Sequence, residues 1–220
     1  MFVARRMQKN PVTMSPAMSL FEAQELMNEK KIHQIPVVSE DGVLAGIISD
    51  YDIRAAFLPV GLIPGFTAEE AEKFLKNTPV AKVMKQKVHV ATLTDTLEDA
   101  VGMLYSFKIN ALPVVDDDNR VVGIISRTNI LEAFIETIGM GRASSRIDVV
   151  IPNRPGAIAQ VVGVISSFHV NITSILTMGH ADDEKLTGFF RVSTLNVSPI
   201  RKAIETEGFE LLDPLKFRSR

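Results

Sequence analysis

The chain has 220 residues, 46% of them hydrophobic and 23% charged, with a net charge of -2 at pH 7 and no cysteine. That is enough length and apolar content for a sizeable core, and the scattered Lys and Arg exclude the basic stripe of a nucleic-acid surface. The missing cysteines exclude disulfides, thiolate zinc sites and Cys nucleophiles.

In chain order, MFVARRMQKNPV lacks the apolar run of a signal peptide. No 18-residue apolar stretch exists, since even Val161 to Ile175 is broken by Ser166, Ser167, His169 and Asn171. The expectation is a soluble cytoplasmic protein that does not enter a membrane. Residues 1–18 read as an opening strand and a loop punctuated by Pro11 and Pro16. Ser19-x-x-Glu22 is a capping box that starts a helix to about Lys30, with Leu20, Ala23 and Met27 on one face, broadened by Phe21 and Leu26. Pro36-Val37-Val38 is a short strand, Asp41-Gly42 a hairpin turn, and Gly46-Ile47-Ile48 the returning strand. Ser49-x-x-Asp52 then caps an apolar helix. Pro59, Gly61, Pro64 and Gly65 make a loop. Thr67-x-x-Glu70 opens a further helix that ends near Asn77-Thr78-Pro79, read as a surface connector with a mobile lid as the alternative.

The same grammar then repeats. Thr96-x-x-Asp99 caps a helix whose Leu97, Ala100, Val101 and Leu104 follow i, i+3, i+4, i+7 spacing. Pro113-Val114-Val115, a looser turn at Asp116 to Arg120, Gly123-Ile124-Ile125, Ser126 and Asn129 complete the copy. Met7 to Phe57 aligns with Met84 to Phe134 at a constant offset of 77 residues, with 16 identities in 51 positions. The chain is therefore internally duplicated. Each copy reads strand-helix-strand-strand-helix, and neither covers its sheet alone, so the two are expected to pack face to face.

Gly139 to Ser145 is a small-residue linker, after which the pattern changes. Arg146 to Ile151 is a strand. Asn153-Arg154-Pro155-Gly156 turns into a helix with Pro at its first position, carrying an apolar stripe of Ile158, Val161, Val162, Ile165 and Phe168. A second strand runs from His169 to about His180, and a third from Leu186 to Leu195. A helix over Ser198 to Glu207 closes at Gly208, before a last strand over Phe209 to Phe217. The order βαββαβ is the ferredoxin-like arrangement. The expected divisions are residues 1–82, 83–140 and 144–220.

The stretches IHQIPVV…GIISDYDI and INALPVV…GIISRTNI, with the openings Met7…Pro11-Val12-Thr13 and Met84…Val88-His89-Val90, resemble the CBS motif, and two copies resemble a CBS pair (Bateman module). IPNRPGAIAQVVGVISSFHVNITSI resembles an ACT domain, with Asn153 where that family often has Asp. The two in succession resemble the layout of AcuB-type acetoin-utilisation proteins. The resemblance implies an α/β (α+β) fold: tandem β-α-β-β-α CBS repeats packed as a pseudo-two-fold pair, then a ferredoxin-like ACT domain.

It also implies adenosine ligands: AMP, ADP, ATP or S-adenosylmethionine. A carboxylate is a good acceptor for the two adjacent ribose hydroxyls, and helix N-terminal amides offer donors to phosphate. Ser49 and Asp52 occupy the matching positions, although Ser49 as cap and Asp52 on the helix dipole is a compatible reading. Ser126 and Asn129 are the second-site equivalents, with Arg127 placed to reach a phosphate or merely solvated. His33 precedes Pro36 where basic residues often stand, and Asn110 precedes Pro113 in the copy. Gln34 in place of an Arg leaves the number of phosphates open. Thr13 and Val90, with the backbone around Ile35 and Leu112, line the adenine slot in the family geometry; plain core packing is the competing reading. In the ACT portion, Asn153, Gly156, Ala157 and Ile158 would meet an amino acid through main-chain groups, against a turn that simply needs Gly.

Catalytic signatures are lacking. His33, His89, His169 and His180 are dispersed without metal-like spacing, Glu69-Glu70 and Asp182-Asp183 read as solvated, and no phosphate-binding or nucleophile motif occurs. The chain is expected to be no enzyme, with no metal and no required cofactor. The reading is a regulatory sensor that passes nucleotide occupancy to a homodimer or to an unknown regulated protein. The alternatives are a dimerisation adaptor with vestigial sites and a regulatory subunit of a separate enzyme.

Overall fold

Capping boxes begin the helices where the sequence places them. In the computed structural model, which describes residues 1–61, 67–141 and 143–212, the Ser19 hydroxyl accepts from the Glu22 N–H and the Glu22 carboxylate accepts from the Ser19 N–H. This box starts α1 (Leu20–Lys30). Thr67 and Thr96 do the same for α3 (Ala68–Asn77) and α4 (Leu97–Ser106). Removing such a cap typically costs about 1 kcal/mol. No helix among the described residues is long and apolar enough to cross a membrane.

The chain forms two units, Met1–Leu131 and Glu132–Arg220. In the first, β2 (Gln34–Val38) turns back into β3 (Leu44–Ser49), and β5 (Ala111–Val115) into β6 (Val121–Ser126). The first turn uses Gly42 at φ +79°, and Asn119 takes the same left-handed conformation in the second. There the Asp116 carboxylate accepts from the Asp118 and Arg120 N–H groups, a local substitute for glycine's freedom. Each returning strand feeds a helix, α2 (Asp50–Gly61) or α5 (Arg127–Thr137). Pro59 and Gly61, expected in a loop, still belong to α2, while the rest of that loop, residues 62–66, lies outside the described residues.

The opening of each repeat crosses to the other. The strand expected within residues 1–18 is only two residues long. A 3-10 turn at Val3–Arg5 leads to β1 (Gln8–Lys9), which pairs antiparallel with β6 of the second repeat. Lys85, the counterpart of Gln8, bridges Ile47 of the first repeat through two backbone hydrogen bonds. Val3 is buried in the second repeat's core with Ala91, Ala100, Leu112 and Ile125. Its counterpart Val80 is buried in the first repeat's core with Leu20, Ile35, Val37 and Ile48. Gly46 and Gly123 make the exchange sterically feasible. A Cβ at Gly46 would sit 2.8 Å from Met84 Sδ and 2.9 Å from the Lys85 carbonyl oxygen, and one at Gly123 would overlap Met7 Sδ.

Repeat equivalence does not extend to every surface position. Val101, expected on the inner stripe of α4, is 43% exposed, whereas Ala100 and Leu104 are buried. A short strand β4 (Ala91–Thr92) pairs parallel with β5, and Met14 makes the corresponding bridge to Val37.

The second unit runs β7 (Ser145–Pro152), α6 (Ala157–Ser166), β8 (Ile172–Gly179), β9 (Lys185–Val192), α7 (Ser198–Thr206) and β10 (Glu210–Leu211). Its antiparallel sheet has the order β10-β7-β9-β8, the ferredoxin-like arrangement. Ile147, Val149 and Ile151 of β7 pack with Val161 and Ile165 of α6 and Ile200 and Ile204 of α7. Pro155 lies before the helix rather than at its first position, because Gly156 at φ +83° is the cap. Phe168 lies beyond the end of α6 and is 37% exposed, so the apolar stripe ends at Ile165. The third strand stops at Val192, short of Leu195, and of the last strand only Glu210–Leu211 is formed among the described residues.

Candidate functional site: two equivalent clefts in the paired repeats

At the start of α2, one carboxylate oxygen of Asp52 accepts the Ser49 N–H at 2.9 Å and also the Ser49 hydroxyl, while Ser49 Oγ accepts the Asp52 N–H at 3.2 Å. At the start of α5, Asn129 Oδ1 accepts the Ser126 N–H at 3.0 Å and the Ser126 hydroxyl at 2.8 Å. Local capping chemistry therefore builds the same corner twice, each beside a helix N-terminus. A capping box uses only one side-chain oxygen. The second Asp52 oxygen, Oδ1, lies 3.1 Å from Lys85 Nζ. Lys85 arrives there because its backbone pairs with Ile47, so the exchanged opening places a second-repeat lysine on a first-repeat acid.

Two clefts flank these corners. One, of about 340 Å³, includes Ser49, Asp52, Lys85, Lys87, His89 and Lys108 in its lining. The other, of about 600 Å³, includes Gln8, Val12, Lys31, Ser126, Arg127 and Asn129. Shifting by 77 residues carries Gln8 to Lys85, Val12 to His89, Lys31 to Lys108, Ser126 to Ser49 and Asn129 to Asp52, so the clefts are pseudo-two-fold mates. His33 and Asn110, themselves counterparts, line both.

His33 Nδ1 lies 3.2 Å from Asp50 Oδ2, and Arg54 Nη1 donates to the same oxygen at 3.1 Å. Burial works to raise the Asp50 carboxyl, but the Arg54 and His33 hydrogen bonds and the Arg54 charge outweigh it and hold it below its ordinary value. Arg127, the counterpart of Asp50, donates from Nε to the Ile109 carbonyl oxygen at 3.1 Å. His89 stacks on Phe107 with ring centroids 3.5 Å apart.

Of the residues singled out from sequence, His33, Ser49, Asp52, Asn110, Ser126, Arg127 and Asn129 come together in these clefts. Ile35 and Leu112 are fully buried in the two cores, and Pro36 and Pro113 are buried beside them in β2 and β5. Thr13 and Val90 are half-buried, next in sequence to the lining residues Val12 and His89. Sequence reasoning missed Gln8, Lys31, Lys85, Lys87 and Lys108. The identity of Lys31 and Lys108 under the offset was a usable signal; the Lys85–Asp52 contact, made across the exchange, was not.

Asn153, Gly156, Ala157 and Ile158 sit together where β7 turns into α6. Asn153 donates its N–H to the Glu184 carbonyl oxygen at 2.7 Å, Ala157 is buried, and Ile158 packs partly buried on the core. Among the described residues no group of three or more His, Asp or Glu side chains is arranged to hold a metal ion.

The CBS domain family matches residues 3–59 and 80–136, and the ACT domain family matches residues 145–208. Among solved structures, the CBS domain pair of protein MJ0100, in complex with 5′-methylthioadenosine and S-adenosyl-L-methionine, is 26% identical with a TM-score of 0.51, covering 61% of this chain and 95% of that one. CBSX2 of Arabidopsis thaliana in complex with AMP is 30% identical with a TM-score of 0.51, covering 61% and 96%. The Vibrio cholerae protein named AcuB for acetoin utilization is 27% identical with a TM-score of 0.51, covering 62% and 91%. Family and fold agree, and the chain belongs to the CBS-domain proteins, as a CBS pair followed by an ACT domain.

Proposed function

We propose that the paired repeats bind an adenine nucleotide, with a ribose held at the Ser49–Asp52 and Ser126–Asn129 corners, and that occupancy is passed to a second copy or a regulated protein. The observation that carries this is the pair of equivalent clefts, each with a side-chain acceptor or amide beside a helix N-terminus and cationic side chains in the wall. That combination suits a diol next to phosphate. The solved complexes of similar CBS pairs with AMP and with 5′-methylthioadenosine and S-adenosyl-L-methionine support the adenosine class.

As a regulator the protein works by differential affinity: ligand shifts the balance of two arrangements only as far as it binds one better than the other. Coupling of about 1–3 kcal/mol is ordinary for such devices. We read the assembly as a homodimer, supported by the exposed Val101, Tyr105 and Leu131 on the outer faces of α4 and α5. The ACT domain is read as an assembly element or a receptor for a second metabolite such as an amino acid at Asn153 to Ile158. Acetoin utilisation, supported by the AcuB likeness, is the pathway to test first. A dimerisation adaptor is the second reading, favoured by one observation: both Asp52 oxygens already have protein partners.

Thermal-shift measurement with AMP, ADP, ATP and S-adenosylmethionine tests the proposal. Ligand at one hundred times its Kd adds about 2.7 kcal/mol of stability. A raised Tm with at least one of them is expected, and no rise with any would favour the adaptor.

A further inference from the structure

Among the positions at which the two clefts differ, two that form a contact in one of them change together. Where one cleft has Asp52 and Lys85, its mate has Asn129 and Gln8, so an acid–lysine pair on one side is two neutral amides on the other. The difference has a direct consequence for what each cleft accepts. Asp52 is 11% exposed at its side chain, with one oxygen held by the capping box and the other by Lys85. A ribose can reach Asp52 only if Lys85 lets go.

Lys85 is 63% exposed at its side chain and therefore free to swing, but releasing it leaves its charge beside Lys87 and Lys108 in the same wall. Only a ligand that brings anionic oxygens offers all three a partner in exchange. An uncharged adenosine thioether offers none, and a sulfonium adds a further positive charge. In the mate cleft, whose lining also holds Lys31 and Arg127, Gln8 and Asn129 stand where the other has its Lys85–Asp52 pair, and the volume is larger, about 600 Å³ against 340 Å³.

We propose that the Asp52 cleft selects phosphorylated adenine nucleotides, with Lys85 as the residue that sets this selectivity, while the Asn129 cleft accepts adenosine ligands without phosphate. This rests on the adenosine reading of both clefts and deepens it: the duplicated halves have become receptors for two different members of one ligand class. A single chain would then compare a phosphorylated with an uncharged adenosine rather than count one ligand twice.

Isothermal titration of the full chain with ATP and with 5′-methylthioadenosine tests this, using Lys85→Gln, which copies Gln8, and the transplanted pair Gln8→Lys with Asn129→Asp. In the unaltered protein, methylthioadenosine is expected to bind with two affinities separated by roughly tenfold or more. Lys85→Gln should close that gap and weaken the tighter ATP site by a similar factor, while the transplant should weaken the remaining methylthioadenosine site. Two equal methylthioadenosine affinities in the unaltered protein, or a gap that survives Lys85→Gln, would overturn the selectivity with the adenosine reading intact. Failure of methylthioadenosine alone to bind would likewise overturn the assignment of the Asn129 cleft, whereas failure of both ligands would remove the adenosine reading, and this inference with it.

Discussion

Val43 pairs with Arg120, its own counterpart 77 residues further on, in an antiparallel bridge. On either side, the Leu44 N–H donates to the Asn119 carbonyl oxygen at 3.0 Å and the Val121 N–H to that of Gly42 at 3.1 Å, bonds that the offset converts into each other. Equivalent residues can meet only at a symmetry axis, so the pseudo-two-fold of the pair passes between these two side chains. From that axis follow the exchanged openings and the two matched clefts.

The exchange depends on glycine where the foreign opening crosses. Gly46→Ala is expected to destabilise the protein by about 1–3 kcal/mol, the ordinary cost of overpacking, because the Lys85 backbone cannot retreat as a side-chain end can. Chemical denaturation checks this, and a midpoint equal to that of the unaltered protein would contradict it.

Val3 and Val80 each fill the core of the repeat to which they do not belong. Val3→Ala is expected to lower stability by roughly 1–3 kcal/mol. In hydrogen exchange the amides of α4 and β5 should lose more protection than those of α1 and β2. Equal loss in both repeats would argue against the exchange.

Asp52 is both the capping-box partner of Ser49 and a candidate ligand contact. Asp52→Ala is expected to cost about 1 kcal/mol through the lost cap and to abolish nucleotide binding at its own cleft while leaving the Asn129 cleft occupied. Denaturation and calorimetry separate the two effects. Unchanged binding at both clefts would reject the assignment.

The Asp50 carboxyl titrates below its ordinary value, held there against partial burial by Arg54 and His33. A depressed folded value means that its contribution is complete above the usual carboxylate range, near 4, and is lost as pH falls through the lower folded value. The side chain is partly exposed, so the contribution is small. Carbon NMR titration should show a midpoint below that of a free aspartate, moving upward in Arg54→Ala. A midpoint unmoved by that substitution would contradict the arrangement.

Local grammar was legible in the sequence, and long-range geometry was not. Ser19, Thr67 and Thr96 announce their helices because a capping box is written within four residues, and the hairpin at Asp41-Gly42 is equally local. The duplication announced the pairing of halves. It could not reveal that Lys85 belongs to the first repeat's cleft, since that follows from strand exchange across 33 residues of sequence from Asp52. Val101 shows the limit of periodicity: its spacing suits an inner stripe, yet α4 turns it outward. Proline suits a first helical position, which is what Pro155 suggests locally; the left-handed Gly156 instead sets the helix start one residue past itself.

The central claim, that both clefts of the pair are adenosine sites, is tested most directly by a crystal structure of the chain grown with ATP. The account predicts ATP density in the cleft at Ser49–Asp52, with Lys85 drawn from Asp52 onto phosphate, and adenosine density at Ser126–Asn129 once 5′-methylthioadenosine is added. Clefts that stay empty at saturating ATP, with the Lys85–Asp52 pair intact, would contradict it.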